Sequence, residues 1–298
     1  MPMSVQKKAY RDLHIAVFLF GFTAILGDLI ELKALPLVWW RVLLTSGSLL
    51  FLIKKHLIRK IPPRIILQYM GIGVIVALHW LTFYGAIKMA NASIALVCLA
   101  TTSFFTALLE PLLLGKKIRG YELALGLLII PGMVLIVQNT DLSMLPGIGL
   151  GLSSALLAAL FSILNKKMIA QADEMSITFI EIGSAWLFLS LVLPFVLFGE
   201  KQSMQFWPSP TDWIYLLVLA LLCTTWAYFL ALKALHHLSA FASNLTINLE
   251  PVYGVILAYF LLNDSSELNS GFYIGGLLII ASVFSYPLLR KRFESEKV

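Results

Sequence analysis

The chain has 298 residues, of which 59% are hydrophobic and only 13% charged, and its net charge is +6. Soluble domains average roughly 45–50% apolar and about 25% charged residues, so a soluble fold is excluded, as is a soluble domain hung on one anchor. The positive balance does not point to nucleic acid, because Lys and Arg sit in short clusters between apolar runs, where they orient a membrane protein.

Segments of about 17–25 apolar residues cross a hydrocarbon core of roughly 30 Å. Such segments occur at 13–30, 36–53, 65–87, 92–114, 121–137, 147–169, 176–198, 213–234, 239–262 and 271–289. Helix is required there, since lipid offers no partner for an open strand edge. The expected fold is an all-α membrane protein of ten transmembrane helices. The connections are short and rich in breakers, as at Ile61-Pro62-Pro63 and Trp207-Pro208-Ser209-Pro210, and none could hold a separate catalytic domain. The first run follows Lys7, Lys8 and Arg11 as in a secretory signal, but no small-x-small cleavage pattern ends it, so it reads as a retained span. Placing the N-terminus in the cytoplasm puts 18 of the 22 basic residues on the inner side. Only Lys33, Lys88 and Lys201 fall outside and Arg41 within a span. The positive-inside rule then sets both termini in the cytoplasm, in a bacterial-type inner membrane.

An internal repeat organises the spans. A shift of 148 residues lays Ala86-Ile87-x-x-Ala90-Asn91-Ala92 on Ala234-Leu235-x-x-Leu238-Ser239-Ala240, and Leu114-Gly115-Lys116 on Leu262-Asn263-Asp264. With two more residues of loop, Gly126-Leu127-Leu128-Ile129-Ile130 recurs as Gly276-Leu277-Leu278-Ile279-Ile280. A shift of 140 brings Pro36–Arg41 over Ser176–Glu181. The expected halves are residues 1–141 and 142–298, with five spans each. Five is odd, so the second copy enters the membrane inverted, the arrangement of secondary transporters that alternate access about a midplane site.

These residues carry a resemblance. Phe20-Gly21-Phe22, Pro36 with Trp40-Arg41, the turns Ala86–Ser93 and Ala234–Ala242, and Glu250-Pro251 resemble the EamA-type members of the drug/metabolite transporter superfamily over nearly the whole chain. Lys116 and Asp264 stand near the Glu of that family's usual Leu-Gly-Glu, so both copies depart from it. The Gly126–Gly132 stretch is similar to the helix-packing motif of small multidrug-resistance transporters, which implies that the fifth and tenth spans pack without lining a pore. The resemblance implies export of a small metabolite or drug-like solute and no particular one.

A charged side chain at the bilayer centre costs roughly 2.5–3.5 kcal/mol on insertion scales, so each one asks for a reason. Glu250 lies mid-span beside Pro251, which removes a backbone donor and kinks the helix. Asn244 and Asn248 share a face by i, i+4 spacing, and Ser243, Thr246 and Glu250 adjoin it. The 148-residue shift sets Thr102, beside Thr101 and Ser103, opposite Glu250. Trp80 and Tyr84 share a helix face and, with Trp226, lie deep enough to stack on a solute. The expected solute contacts are therefore Trp80, Tyr84, Thr101, Thr102, Trp226, Asn244, Asn248 and Glu250, against the plainer reading of interhelical hydrogen bonds and core filling. Arg41 and Glu181 correspond under the repeat, which places them at opposite mouths about one turn into their spans. There, with His79, they would act as gate or charge contacts, and snorkelling is the alternative for the pair. His79 also reads as a hydrogen-bonded structural histidine. Glu110, near a helix end before Pro111, reads as structural. Trp39, Trp40, Trp207 and Trp213 read as an interfacial belt.

Cys98 and Cys223 fall inside apolar runs and read as small buried residues, with no disulfide or metal role. Gly147 and Gly151 read as close packing within one chain. Asn91-Ala92-Ser93 is a glycosylation sequon in spelling alone, and His236-His237 lacks companions for a metal. No nucleotide-binding loop, G-x-S-x-G or H-E-x-x-H occurs. The reading is a non-enzymatic secondary transporter without cofactor, metal or nucleic acid. It exports amino acids or drug-like solutes by alternating access, driven by the solute gradient or by proton exchange with Glu250 as charge selector or proton carrier. Monomer and homodimer both stay open. A sugar-phosphate-type exchanger or an importer is the alternative, although phosphate would call for two basic groups and only Arg41 is available. An embedded enzyme or lipid-handling protein would need a clustered nucleophile and base, and none is visible.

Overall fold

A computed structural model describes residues 4–136, 142–199, 205–262 and 270–295, and every element among them is helical. In chain order these are α1 (Val5–Leu29), α2 (Ala34–Leu52), the one-turn α3 (Lys55–Ile58), α4 (Pro63–Met89), α5 (Ala92–Ala100), α6 (Thr102–Leu114) and α7 (Gly120–Ile136). The second half holds α8 (Leu145–Met168), α9 (Glu174–Gly199), α10 (Pro210–Ala220), α11 (Ala227–Leu235), α12 (Ala240–Ile247), α13 (Glu250–Leu262) and α14 (Ser270–Ser295). Short 3₁₀ turns precede and follow α8, and a π-helical segment, Leu221–Trp226, joins α10 to α11.

The boundaries follow from local chemistry. Ser4, Asn91, Ser209 and Ser239 each stand one residue before a helix and accept a hydrogen bond from a backbone N–H of its first turn. Ser209 and Asp212 form a reciprocal capping box around Pro210. Gly115 stops α6 in the left-handed conformation, φ 65°, which only glycine adopts without strain. The Leu-Gly-Lys segment is thus a helix stop; Asn263 and Asp264 of the corresponding segment, like Asp141, Lys201 and Lys297, lie outside the described residues.

Among the described residues eight helices are long and apolar enough to cross a membrane, which makes the chain a multi-pass membrane protein. The expected span at 121–137 corresponds to α7, and the one at 239–262 is interrupted between α12 and α13. Pro251 has no N–H to donate, and its ring crowds the carbonyl four residues back, at Ile247, where α12 ends. The fourth span is interrupted too, at Thr101, without a proline. There Thr101 and Ser103 donate their hydroxyls to the carbonyls of Cys98 and Ala100, a local bond that competes with the helix ladder. The helix starts recur at regular offsets: α1 and α8, like α2 and α9, begin 140 residues apart, α5 and α12 148 apart, and α6 and α13 148 apart.

α4 packs lengthwise on α8 and α9, α1 on α11 and α13, and α7 pairs with α14. Gly73 on α4 makes the contact with α9 possible, because a Cβ there would collide with the carbonyl oxygen of Glu181. Gly147 and Gly151 abut Ala90 and Cys98 of the same chain, so this glycine pair serves packing within the monomer. At one end of the bundle Asp12 holds Arg11 and Lys233 at 2.6 and 2.9 Å. Glu110 accepts from the N–H of Phe241 at the start of α12 and pairs with Lys116, a structural task. At the other end Trp40 is buried among Trp39, Phe206, Trp207 and Trp213, and its Nε1 donates to the Phe206 carbonyl at 2.8 Å. Trp40 is therefore the centre of an aromatic cluster rather than a belt residue, while Trp207 is 69% exposed.

Candidate functional site

A cavity of about 120 Å³ lies between α1, α2, α4, α5, α6, α8, the π segment, α11, α12 and α13. Among the described residues neither α7 nor α14 contributes to its lining. Apolar side chains such as Leu13, Phe20, Phe83, Leu99 and Phe161 form most of the wall, and a few polar groups converge within it, the usual constitution of a small-molecule site.

Arg41 is the cation of this wall. It is the eighth residue of α2, about 10 Å along the helix from its start. Its Nε donates to Thr224 Oγ1 at 2.7 Å and its Nη1 to the Tyr84 hydroxyl at 2.8 Å. The guanidinium carbon lies 4.1 Å from the centre of the Trp80 ring, a cation–π contact. Thr224 spends its own hydrogen on the carbonyl of Leu219, five residues back, which leaves its oxygen to accept from Arg41. That i−5 bond, with the matching one from Thr225 to Ala220, belongs to the π segment and aims Thr224 into the cavity. Single-turn π segments recur at functional sites.

Glu250 opens α13 at the break and is buried, with Thr23 donating to its Oε1 at 3.0 Å. Asn244 and Asn248 line the cavity and also tie α12 to α6, through Nδ2 to Thr106 Oγ1 at 2.8 Å and to Ser103 Oγ at 3.0 Å. Both readings of the asparagines, lining and glue, hold at once. Thr102 lines the cavity, and its hydroxyl, like that of Ser243, is buried with no hydrogen-bond partner among the described residues.

Four expected positions sit elsewhere than anticipated. Trp226 is 49% exposed and packs on Phe229 outside the cavity. It lies two residues from both Thr224 and Tyr228, hence about 200° around the helix from the lining face. Thr101 is absent from the lining, its hydroxyl being bonded to Cys98. Tyr84 is fully buried behind Arg41 and supports it without lining the cavity. Glu181 is also fully buried, and its partners Asn165 and Tyr228, not itself, line the cavity.

Nor do Arg41 and Glu181 snorkel or occupy opposite mouths. Arg41 is 2% exposed and Glu181 0%. Their hydrogen-bond partners Thr224 and Tyr228 are four residues apart on one continuous helical segment, about 6 Å along it. The reason is depth. α2 and α9 each begin two residues before the expected spans, so each charge sits two turns inside. His79 lines the cavity beside Phe83 and Phe161 and meets Ser154 through Nδ1, at 2.8 Å from Oγ and 3.0 Å from the carbonyl.

Sequence reasoning missed Thr23, Asn165, Thr224 and Tyr228. One signal for Tyr228 was present: the 148-residue shift carries Trp80, the partner of Arg41, onto Tyr228, the partner of Glu181.

The model of the EamA-like transporter family matches residues 13–138 and again 145–286. A protein of Archaeoglobus fulgidus described as an uncharacterized transporter is 27% identical over 225 residues, covering 74% of this chain and 73% of that one. A protein of known crystal structure superposes with a TM-score of 0.75 at 15% identity, over 97% of this chain and 99% of that one, which speaks for the fold alone. The chain, a membrane transporter, belongs to the EamA-like transporter family of the drug/metabolite transporter superfamily.

Proposed function

We propose that the protein is a secondary transporter that exports small metabolites such as amino acids, or drug-like solutes of similar size, by alternating access. The observation that carries this reading is the cavity itself. It brings a cation with no carboxylate bonded to it among the described residues, Arg41, and a carboxylate, Glu250, to one apolar-walled space. Two N–H groups of Arg41 are engaged, and the others remain for a solute carboxylate. Glu250 sets the charge preference for a solute ammonium. Asn244, Asn248, Thr102 and Ser243 supply uncharged hydrogen bonds, and Trp80 a flat apolar face. The space accommodates about ten water-sized groups at about 10–15 Å³ each, the scale of one small metabolite.

In this reading ten spans form two inverted five-helix halves, 1–141 and 142–298, supported by the recurring helix offsets and the two matched segments. The halves rock about the cavity between the mirrored breaks at Thr101 and Asn248-Leu249, where irregular backbone lines a cavity as transporter sites do. Both termini face the cytoplasm of a bacterial-type inner membrane, by the basic residues, and proton exchange drives export. The test is a growth screen of an overexpressing strain against amino acids and toxic analogues, followed by flux in proteoliposomes. Resistance lost in Arg41→Ala supports the reading; a strain protected equally by wild type and Arg41→Ala removes it.

A further inference from the structure

Glu181 is a fully buried carboxylate outside the solute contacts. Tyr228 donates to its Oε2 at 2.5 Å and Asn165 Nδ2 to the same oxygen at 3.2 Å. Its other oxygen, Oε1, is buried without a hydrogen-bond partner, and so is Oδ1 of Asn165. Two adjoining side chains thus each bury a bare acceptor, in a place where every polar group needs a partner.

Among the described residues no cation reaches Glu181. The titratable groups facing it are Tyr228 from α11 and Tyr69 from α4, and Tyr69 donates to the carbonyl of Met168. α8 brings Asn165, which does not titrate, while Lys166 of α8 donates to the carbonyls of Leu235 and His236. α2 brings Arg41, committed to Thr224, Tyr84 and Trp80. His236 and Glu174 pair with each other at the end of the bundle.

One added hydrogen removes the bare acceptor at Oε1. An O–H bond formed at Oε1 turns an acceptor into a donor, and the amide oxygen of Asn165 is the unused acceptor on the side chain already touching this carboxylate. We infer that Glu181, with Asn165 and Tyr228, is a reversible proton-binding site beside the solute cavity, and that it carries the coupling proton while Glu250 serves the solute. The proton is taken from water on one side of the membrane and returned to water on the other, and Asn165 and Tyr228 stand between Glu181 and the cavity. The coupling part rests on the transport reading above; the proton site does not.

The test is infrared spectroscopy of the purified protein in lipid nanodiscs, following the carbonyl stretch of protonated carboxylic acids across a pH series. A band that titrates in wild type, disappears in Glu181→Gln and persists in Glu250→Gln supports the site. Tyr228→Phe removes a donor to the ionised form and should move the midpoint to higher pH, a shift that a purely structural role would not give. A titrating band unchanged in Glu181→Gln, or no titrating band at all, overturns the proposal. A band suppressed by sodium but not by potassium overturns it too, in favour of a sodium site. Separately, a mixture of radiolabelled amino acids is added outside proteoliposomes that hold an imposed pH gradient. Gradient-driven accumulation lost in Glu181→Gln supports the coupling, and accumulation retained there contradicts it. If wild type moves no labelled amino acid, the transport reading falls while the infrared result stands.

Discussion

Arg41 of α2 and Glu181 of α9 are each the eighth residue of their helix and each reaches the same π-interrupted segment, yet they are held in opposite ways. Arg41 lies over Trp80 and opens onto the cavity; Glu181 bonds Tyr228, the residue that the 148-residue shift pairs with Trp80, and lies behind the cavity wall. The ring contact between Trp80 and Tyr228, centroids 6.4 Å apart, joins the two arrangements directly. One frame thus supports two chemistries, because a charge facing a cavity recruits a solute, whereas a charge sealed behind the wall is neutralised by what can reach it. A proton can reach Glu181 where a metabolite cannot.

The comparison breaks most sharply at Arg41. Arg41→Ala leaves Thr224, Tyr84 and the solute carboxylate without their cation and should weaken solute binding by about 2–5 kcal/mol, read as affinity by isothermal titration with a solute identified in the growth screen. Arg41→Lys should recover part of this only, since an ammonium neither forks to two acceptors nor stacks on Trp80. On the Glu181 side, Gly73→Ala drives a methyl against the Glu181 carbonyl and should lower stability by about 1–3 kcal/mol, seen as a lower Tm in detergent. Trp80→Leu removes the face under the guanidinium and should cost about 0.5–2 kcal/mol in binding. Asn248→Ala deletes the bond to Ser103 and should cost about 0.6 kcal/mol of stability, the average for such contacts in membranes. Trp226→Leu, outside the cavity, should change solute affinity by less than about 0.5 kcal/mol; a large loss there would show that the cavity has been drawn on the wrong face.

Much of the fold was legible, since apolar length and breaker residues mark the helices, although Pro251 reads as a kink in one span where the helix in fact breaks into α12 and α13. The equivalent break at Thr101 was not, because it comes from hydroxyls turning back on carbonyls, a bond that any Thr can also make inside an unbroken helix. The π segment was hidden for the same reason, and with it the role of Thr224. Arg41, Glu250, Thr102 and the two asparagines, which line the cavity, stand out in the sequence as polar groups inside apolar runs, and Trp80 as a deep aromatic. Trp226 was misplaced because depth along a span says nothing of the side of the helix, and Asn165 was hidden by Lys166-Lys167, which reads as a span boundary. Tyr228 is within reach of the repeat, since the 148-residue shift carries Trp80 onto it.

Cys223 offers the most direct test that this cavity alternates its access. It lines the cavity at 1% exposure, and the chain's other cysteine, Cys98, is buried against Gly151. In a Cys98→Ala background, a membrane-impermeant thiol reagent can be applied to right-side-out and to inverted vesicles. Alternating access predicts slow labelling of Cys223 in both preparations, slowed further by a bound solute. Labelling from one face alone would contradict it.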